Sequence, residues 1–266
     1  EARAQATDAE ALALHWREAG EVDRGADHAL LAARNAERAL AFDRAADFFA
    51  QALERERAWD AQQPIHVELA DALRQAGRGA EAASYYVSAT RDTDPVEGRR
   101  LRALATQTYL QSGQLDAGLE LAEELLREMG MSMPKGPKRA LASLLWNRAR
   151  NGIRGLAFEP QDEADVPDAV LEKVDTAVTM GTVLAMADFI RGADFQARAV
   201  RLALDSGERK RVARALGSEA AALSTSEAAP MKKARGLLER AEALADAIGD
   251  PETRAWVELS WATAHL

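Results

Sequence analysis

Apolar residues recur along this chain at intervals of three and four, the spacing of one face of an α-helix. Phe42, Ala45, Phe49, Ala52 and Leu53 follow it, and so do Ala234, Leu238 and Ala241. The phase predicts helices at about 8–19, 22–40, 42–56, 64–76, 79–91, 97–112, 115–129, 137–154, 168–183, 186–206, 208–224, 230–248 and 251–266. Glycine turns punctuate the pattern at Ala19-Gly20-Glu21-Val22, Ala76-Gly77-Arg78-Gly79 and Ser112-Gly113-Gln114-Leu115, while Leu40 stands where a fourth turn glycine would be. Pro64, Pro95 and Pro230 read as helix starts, and Gly249-Asp250-Pro251 as a stop.

The turns also set a period. Gly77 and Gly113 stand 36 positions apart. Each is followed after five positions by a small residue (Ala82, Gly118), four later by Tyr86 or Ala122, and then by Ala89-Thr90 or Leu125-Leu126. Small residues at Ala45, Ala82 and Gly118 let paired helices approach closely, and Phe49, Tyr86 and Tyr109 fill the groove to the next pair. Neither helix of a pair can bury its stripe alone, so the pairs must stack. The interval from Gly20 to Leu40 is too short for a full repeat, so the helix at 22–40 is expected to serve both neighbours.

The pattern changes between Met129 and Phe158. That window contains no acid, but carries Lys135, Lys138, Arg139, Arg148, Arg150 and Arg154. Its helix at 137–154 is expected to turn its leucines and Trp146 inward and its arginines outward, bridging two stacks. The acidic loop that follows (Glu159, Asp162, Glu163, Asp165) would neutralise it at short range; the competing reading has the helix touching an anionic membrane, nucleic acid or an acidic partner. The organisation expected is therefore a repeat stack at 1–129, a connecting helix and loop at 130–167 with modest flexing near 155–167, and a second, degenerate stack at 168–266. The chain starts without Met and stops inside a periodic segment, which reads as a piece of a longer polypeptide.

Composition agrees with an all-α fold: 59 Ala and 31 Leu stand against 12 Val and 4 Ile. With no cysteine, disulfides, thiolate zinc sites and cysteine nucleophiles are excluded. A formal net charge of −9 argues against nucleic acid as a partner, and no apolar run reaches the ~18 residues of a membrane span. No phosphate-binding glycine loop is present, and His15, His28, His66 and His265 lack ligand spacing. Asp92-Thr93-Asp94 opens like a calcium loop but has Ala103 where the bidentate Glu belongs. The expectation is a non-enzymatic chain without cofactor or metal, in the cytoplasm.

The turn and crossing residues resemble those of the tetratricopeptide-repeat superfamily, closely over 22–129 and loosely over 168–266. The resemblance implies a right-handed superhelical solenoid of 12 or 13 antiparallel helices, with the first helix of each pair facing a concave groove. The groove-facing residues are then Leu30, Arg34 and Glu37; Val67, Asp71, Arg74 and Gln75; and Ala103, Gln107, Leu110 and Gln111. Such a mixed row suits an extended or helical peptide, or a neighbouring domain of the same polypeptide. The Lys and Asn with which some family members clamp a terminal carboxylate are replaced by Leu30/Arg34 and Val67/Asp71, so that mode is not expected. The segments Leu12-Ala13-Leu14-His15-Trp16-Arg17-Glu18-Ala19-Gly20 and Ala39-Leu40-Ala41-Phe42-Asp43-Arg44-Ala45-Ala46 carry a second resemblance, as do the stretches at 155–160 and 188–194. They are similar to the helical region that follows the ATPase module of large bacterial serine/threonine-kinase signalling proteins. This implies a sensor or scaffold arm. A small-molecule receptor or a self-association module remains open beside it.

Overall fold

The computed structural model describes residues 2–225 and 231–265; the helix start expected at Pro230 lies outside them. Thirteen α-helices follow one another among the described residues: α1 (Ala2–Glu18), α2 (Val22–Arg38), α3 (Phe42–Ala52), α4 (Trp59–Gln75), α5 (Gly79–Ser88), α6 (Pro95–Gln111), α7 (Leu115–Glu128), α8 (Pro137–Arg154), α9 (Asp168–Ala187), α10 (Phe189–Ser206), α11 (Arg209–Ser224), α12 (Met231–Ile248) and α13 (Pro251–His265). No strand occurs among them, and none of their helices is long and apolar enough to cross a membrane. The chain divides within α7 into two compact units, Glu1–Leu125 and Leu126–Leu266.

From α1 to α6 each helix packs on the next, so α2 packs on both α1 and α3. The tight turns share one geometry. Gly20, Gly77 and Gly113 adopt φ of +77°, +80° and +82°, and Leu40 adopts +59° at the equivalent position. The next N–H then reaches back five residues: Glu21 to Trp16, Ala41 to Ala36, Arg78 to Leu73 and Gln114 to Tyr109, at 2.8–2.9 Å. This closure satisfies a terminal carbonyl and ends the helix at once.

Alanine makes the helix pairs close. Ala13, Ala29, Ala33, Ala36, Ala45 and Ala46 are buried together around Phe49, Ile65, Leu69 and Leu73. Tyr86 anchors the next layer with Ala70, Ala89, Leu101 and Ala105. Gly118 lies against Leu110, where a Cβ would come within 2.7 Å of the leucine side chain.

Pro64 does not begin a helix. α4 starts five residues earlier at Trp59, and the proline sits inside it. The missing N–H costs one intrahelical bond near the N-terminus, and Trp59 secures that end through Nε1, which donates to the Arg91 carbonyl at 2.6 Å. Pro95 does occupy a first turn, after Asp94, whose carboxylate accepts from the N–H groups of Val96 and Glu97 at 3.0 and 3.2 Å.

In the second unit α10 is central, packing against α8, α9 and α11. The core runs from Val174 and Val178 through Val200, Leu204 and Leu216 to Leu237, Leu238 and Val257. Gly192 of α10 meets the backbone of α9 directly: a Cβ there would lie 2.5 Å from the Ala185 nitrogen. The acidic loop after α8 is tied to the start of α11. Gln161 N–H donates to the Gly207 carbonyl at 2.9 Å, Asp162 pairs with Arg209, and Glu163 pairs with Arg211 at 2.9 Å.

Candidate interaction surfaces

The polar residues expected to face a groove lie on α2, α4 and α6, and several of them meet. Arg34 donates through Nε and Nη2 to both carboxylate oxygens of Glu68, at 3.0 and 3.2 Å. Glu37, one turn further along α2, feels Glu68 and Asp71; burial, then the two acids, raise its pKa above the ordinary carboxyl value despite Arg34. Asp71 accepts the Tyr86 hydroxyl proton, and Tyr86 in turn accepts from Arg74 Nε at 3.3 Å. Burial first, and then the bond to Asp71, push the Tyr86 phenol up to about 12. On α6, Arg100 grips Glu97 with two bonds of 2.7 and 2.6 Å. The result is a strip in which cation and anion alternate.

Not every expected residue belongs to it. Leu110 is 5% exposed and fills the space over Gly118, so it is a core residue. Its position one turn before the glycine turn puts it where α6 and α7 close on each other. Val67 packs against the layer built on Tyr86, and Leu30 against the layer built on Phe49, both half-buried. Gln75 and Gln111 are exposed, while Ala103 and Gln107 are half-buried. Glu68 was not anticipated, although it stands three residues before Asp71 and thus on the same helical face. Tyr86 was assigned to packing alone; its hydroxyl also organises Asp71 and Arg74.

α8 reverses the expected orientation. Its buried side is Ala140, Leu144 and Asn147, and Arg148 and Arg154 turn inward as well, whereas Arg139 and Arg150 stay exposed. Arg148 Nε donates to Glu219 at 2.9 Å, and Arg154 Nε donates to Asp205 at 2.9 Å. Asn147 donates to Asp194 at 2.9 Å and accepts from Arg201 at 3.1 Å; Asn151 donates to the Ala197 carbonyl at 2.7 Å. Asp194, fully buried, also pairs with Arg198 at 2.7 Å. Burial drives the Glu219 carboxyl up to about 7 against the pull of Arg148. Leu141, Leu145, Trp146 and Ile153 face solvent instead, the last two 68% and 90% exposed. The side that docks mixes Ala140 and Leu144 with Asn147, Arg148 and Asn151, which is why amphipathicity pointed the wrong way.

A cavity of about 350 Å³ opens between α9, α10, α11 and α13, lined by Met186, Phe189, Ala193, Gln196, Trp256 and Leu259 among others. No group of three or more His, Asp or Glu able to hold a metal ion occurs among the described residues.

Consecutive helices packed on one another, with no strand among the described residues, define a helical-repeat all-α fold. No family model matches the sequence, and no curated protein matches it. Among solved structures the chain is similar to the crystal structure of BtubC (BKLC) from P. vanneervenii. The TM-score is 0.51 and the identity 14%, over 94% of this chain and 92% of that one, which is a likeness of fold.

Proposed function

We propose that the chain is a tetratricopeptide-like protein-interaction region, cytoplasmic and without catalysis of its own, serving as a scaffold or sensor arm of a larger bacterial signalling protein. Its first unit binds an extended or helical segment of a partner, or of another domain of the same polypeptide, along the strip on α2, α4 and α6. The observation that carries this reading is the alternation of charge across successive helices, from Arg34–Glu68 to Tyr86–Asp71 and Arg74 and then Arg100–Glu97, with Gln75 and Gln111 exposed on the same helices. Solvated ion pairs of this kind contribute little to stability. They can be exchanged for pairs with a partner at small cost, and they fix its register.

The test is selection of binders from a peptide-display library, followed by calorimetric titration of the enriched peptides. A micromolar family of peptides is expected, weakened at least about tenfold by Arg34→Ala combined with Gln75→Ala and Gln111→Ala. Binding that ignores these substitutions refutes the reading. The cavity of about 350 Å³ in the second unit favours a second reading, a receptor for a small apolar effector. A saturable thermal shift with a metabolite, and none with selected peptides, would favour it.

A further inference from the structure

α8 buries one side against α10 and leaves the other uncovered. Leu141, Leu145, Trp146 and Ile153 stand 46–90% exposed along its 18 residues, with Ala142 and Ala149 between them. At 100° per residue these side chains form one continuous stripe. Lys138 lies within the stripe, and Arg139 and Arg150 lie on its Trp146 edge. These three cations are exposed, and none makes an ion pair among the described residues, in contrast to Arg148 and Arg154 on the other side of the helix. Two of the four acids that follow α8 in sequence are engaged elsewhere, Asp162 with Arg209 and Glu163 with Arg211, and among the described residues neither Glu159 nor Asp165 pairs with a cation of α8. An apolar stripe with an uncompensated basic edge is therefore available on a rigid, packed helix.

We propose that this face of α8 docks one acidic amphipathic helix of a partner protein. The partner's apolar residues would cover Leu141, Leu145, Trp146 and Ile153, and its flanking carboxylates would meet Lys138, Arg139 and Arg150. Pairing along helix faces gives i, i+3, i+4 and i+7 anchors, and Trp and Arg are the residue types that most often dominate such contacts. Two other occupants fit worse. A second copy related by a two-fold axis would set α8 against α8, and the segment 130–158 holds no acid to answer its own cations. An anionic bilayer is a plane much wider than one helix, so the chain's net charge of −9 would approach it along with α8. A single helix touches the basic edge alone. The surface is independent of the strip on α2, α4 and α6.

The test uses the whole chain and a fluorescein-labelled synthetic helix as long as α8, with Leu at the a and d positions of its heptads and Glu at the flanking ones. A counterpart carries Lys in place of Glu. Fluorescence anisotropy is expected to show saturable binding of the Glu peptide at micromolar concentration, weakened by salt. The pair Leu145→Ser and Trp146→Ser should reduce affinity at least about tenfold. The pair Arg139→Glu and Arg150→Glu should do the same and transfer preference to the Lys peptide. All four positions are exposed, so circular dichroism should be unchanged. Absence of saturation, or affinity indifferent to both pairs, overturns the proposal. So does binding to phosphatidylserine vesicles, or concentration-dependent self-association, that the same substitutions abolish. None of these variants touches the strip on α2, α4 and α6, so failure here leaves that reading standing.

Discussion

Replacing Gly192 by Ala tests the packing of the second unit at its tightest point. The new Cβ would lie 2.5 Å from the Ala185 nitrogen, 2.6 Å from its Cα and 2.8 Å from its Cβ. Real contacts of this kind do not fall below 3.0 Å, and the obstacle is helix backbone, which no rotamer change can move. α9 and α10 must therefore separate, loosening a contact that runs along both helices. Overpacking costs about 1–3 kcal/mol, and a backbone obstacle places this site at the upper end. Alanine recovers about 1 kcal/mol of helix propensity over glycine, so the net loss is about 2 kcal/mol. Gly236 in α12 supplies the control, because a Cβ there meets nothing within 4 Å. Gly236→Ala should gain about 1 kcal/mol from propensity. Urea denaturation followed by far-UV circular dichroism should rank Gly236→Ala above the parent chain and Gly192→Ala below it, about 3 kcal/mol apart. A Gly192→Ala chain as stable as its parent would refute the close approach of α9 and α10.

Glu219 makes the pH dependence specific. Its folded pKa, raised by burial from 4.5 to about 7, means that the folded state holds a proton the unfolded state has lost across that window, so this group's contribution to stability falls as pH rises. At about 1.4 kcal/mol per pKa unit the effect is roughly 3 kcal/mol at most; Glu219→Gln should gain on the parent between pH 4.5 and 7 in denaturant titrations, and parallel profiles would contradict it. Tyr86→Phe keeps the buried ring but removes the hydroxyl between Asp71 and Arg74, at an expected cost of about 1–2 kcal/mol; a neutral result would show that the hydroxyl is dispensable. Leu40 is 73% exposed at φ +59°, so Leu40→Gly relieves left-handed strain of about 1–2 kcal/mol against about 0.5–1 kcal/mol of added chain entropy. A small gain in thermal midpoint is expected, and a clear loss would mean the leucine makes contacts that matter.

The helices were legible because their determinants are local. The turn glycines fixed where α1, α4 and α6 stop, and the same spacing marked Leu40 as their substitute after α2. Ala45, Ala82 and Gly118 announced close crossings, and all three are buried. Pro64 misled because a proline early in a helix costs only one bond, which the anchoring of Trp59 offsets. α8 misled for a deeper reason. Its docking side is chosen by partners far along the chain: Asp194 for Asn147, the Ala197 carbonyl for Asn151, and Glu219 for Arg148. No reading of 137–154 by itself could weigh those against four apolar residues. In the strip on α2, α4 and α6 the exposed charges followed from helical phase, whereas Leu110 was misplaced because its neighbour Gly118 leaves a hole that only a side chain from the facing helix can fill.

The outward stripe of α8 also bears on how this protein will behave at the bench. Anilinonaphthalene sulfonate pairs a flat aromatic system with one negative charge and lights up on apolar surface. Trp146 and Leu145 beside Arg139 and Arg150 offer it both halves of its preferred environment. The intact, fully packed chain should therefore give a bright dye signal. For this molecule such brightness is a property of the native state, and it should not be read as a sign that the fold has loosened.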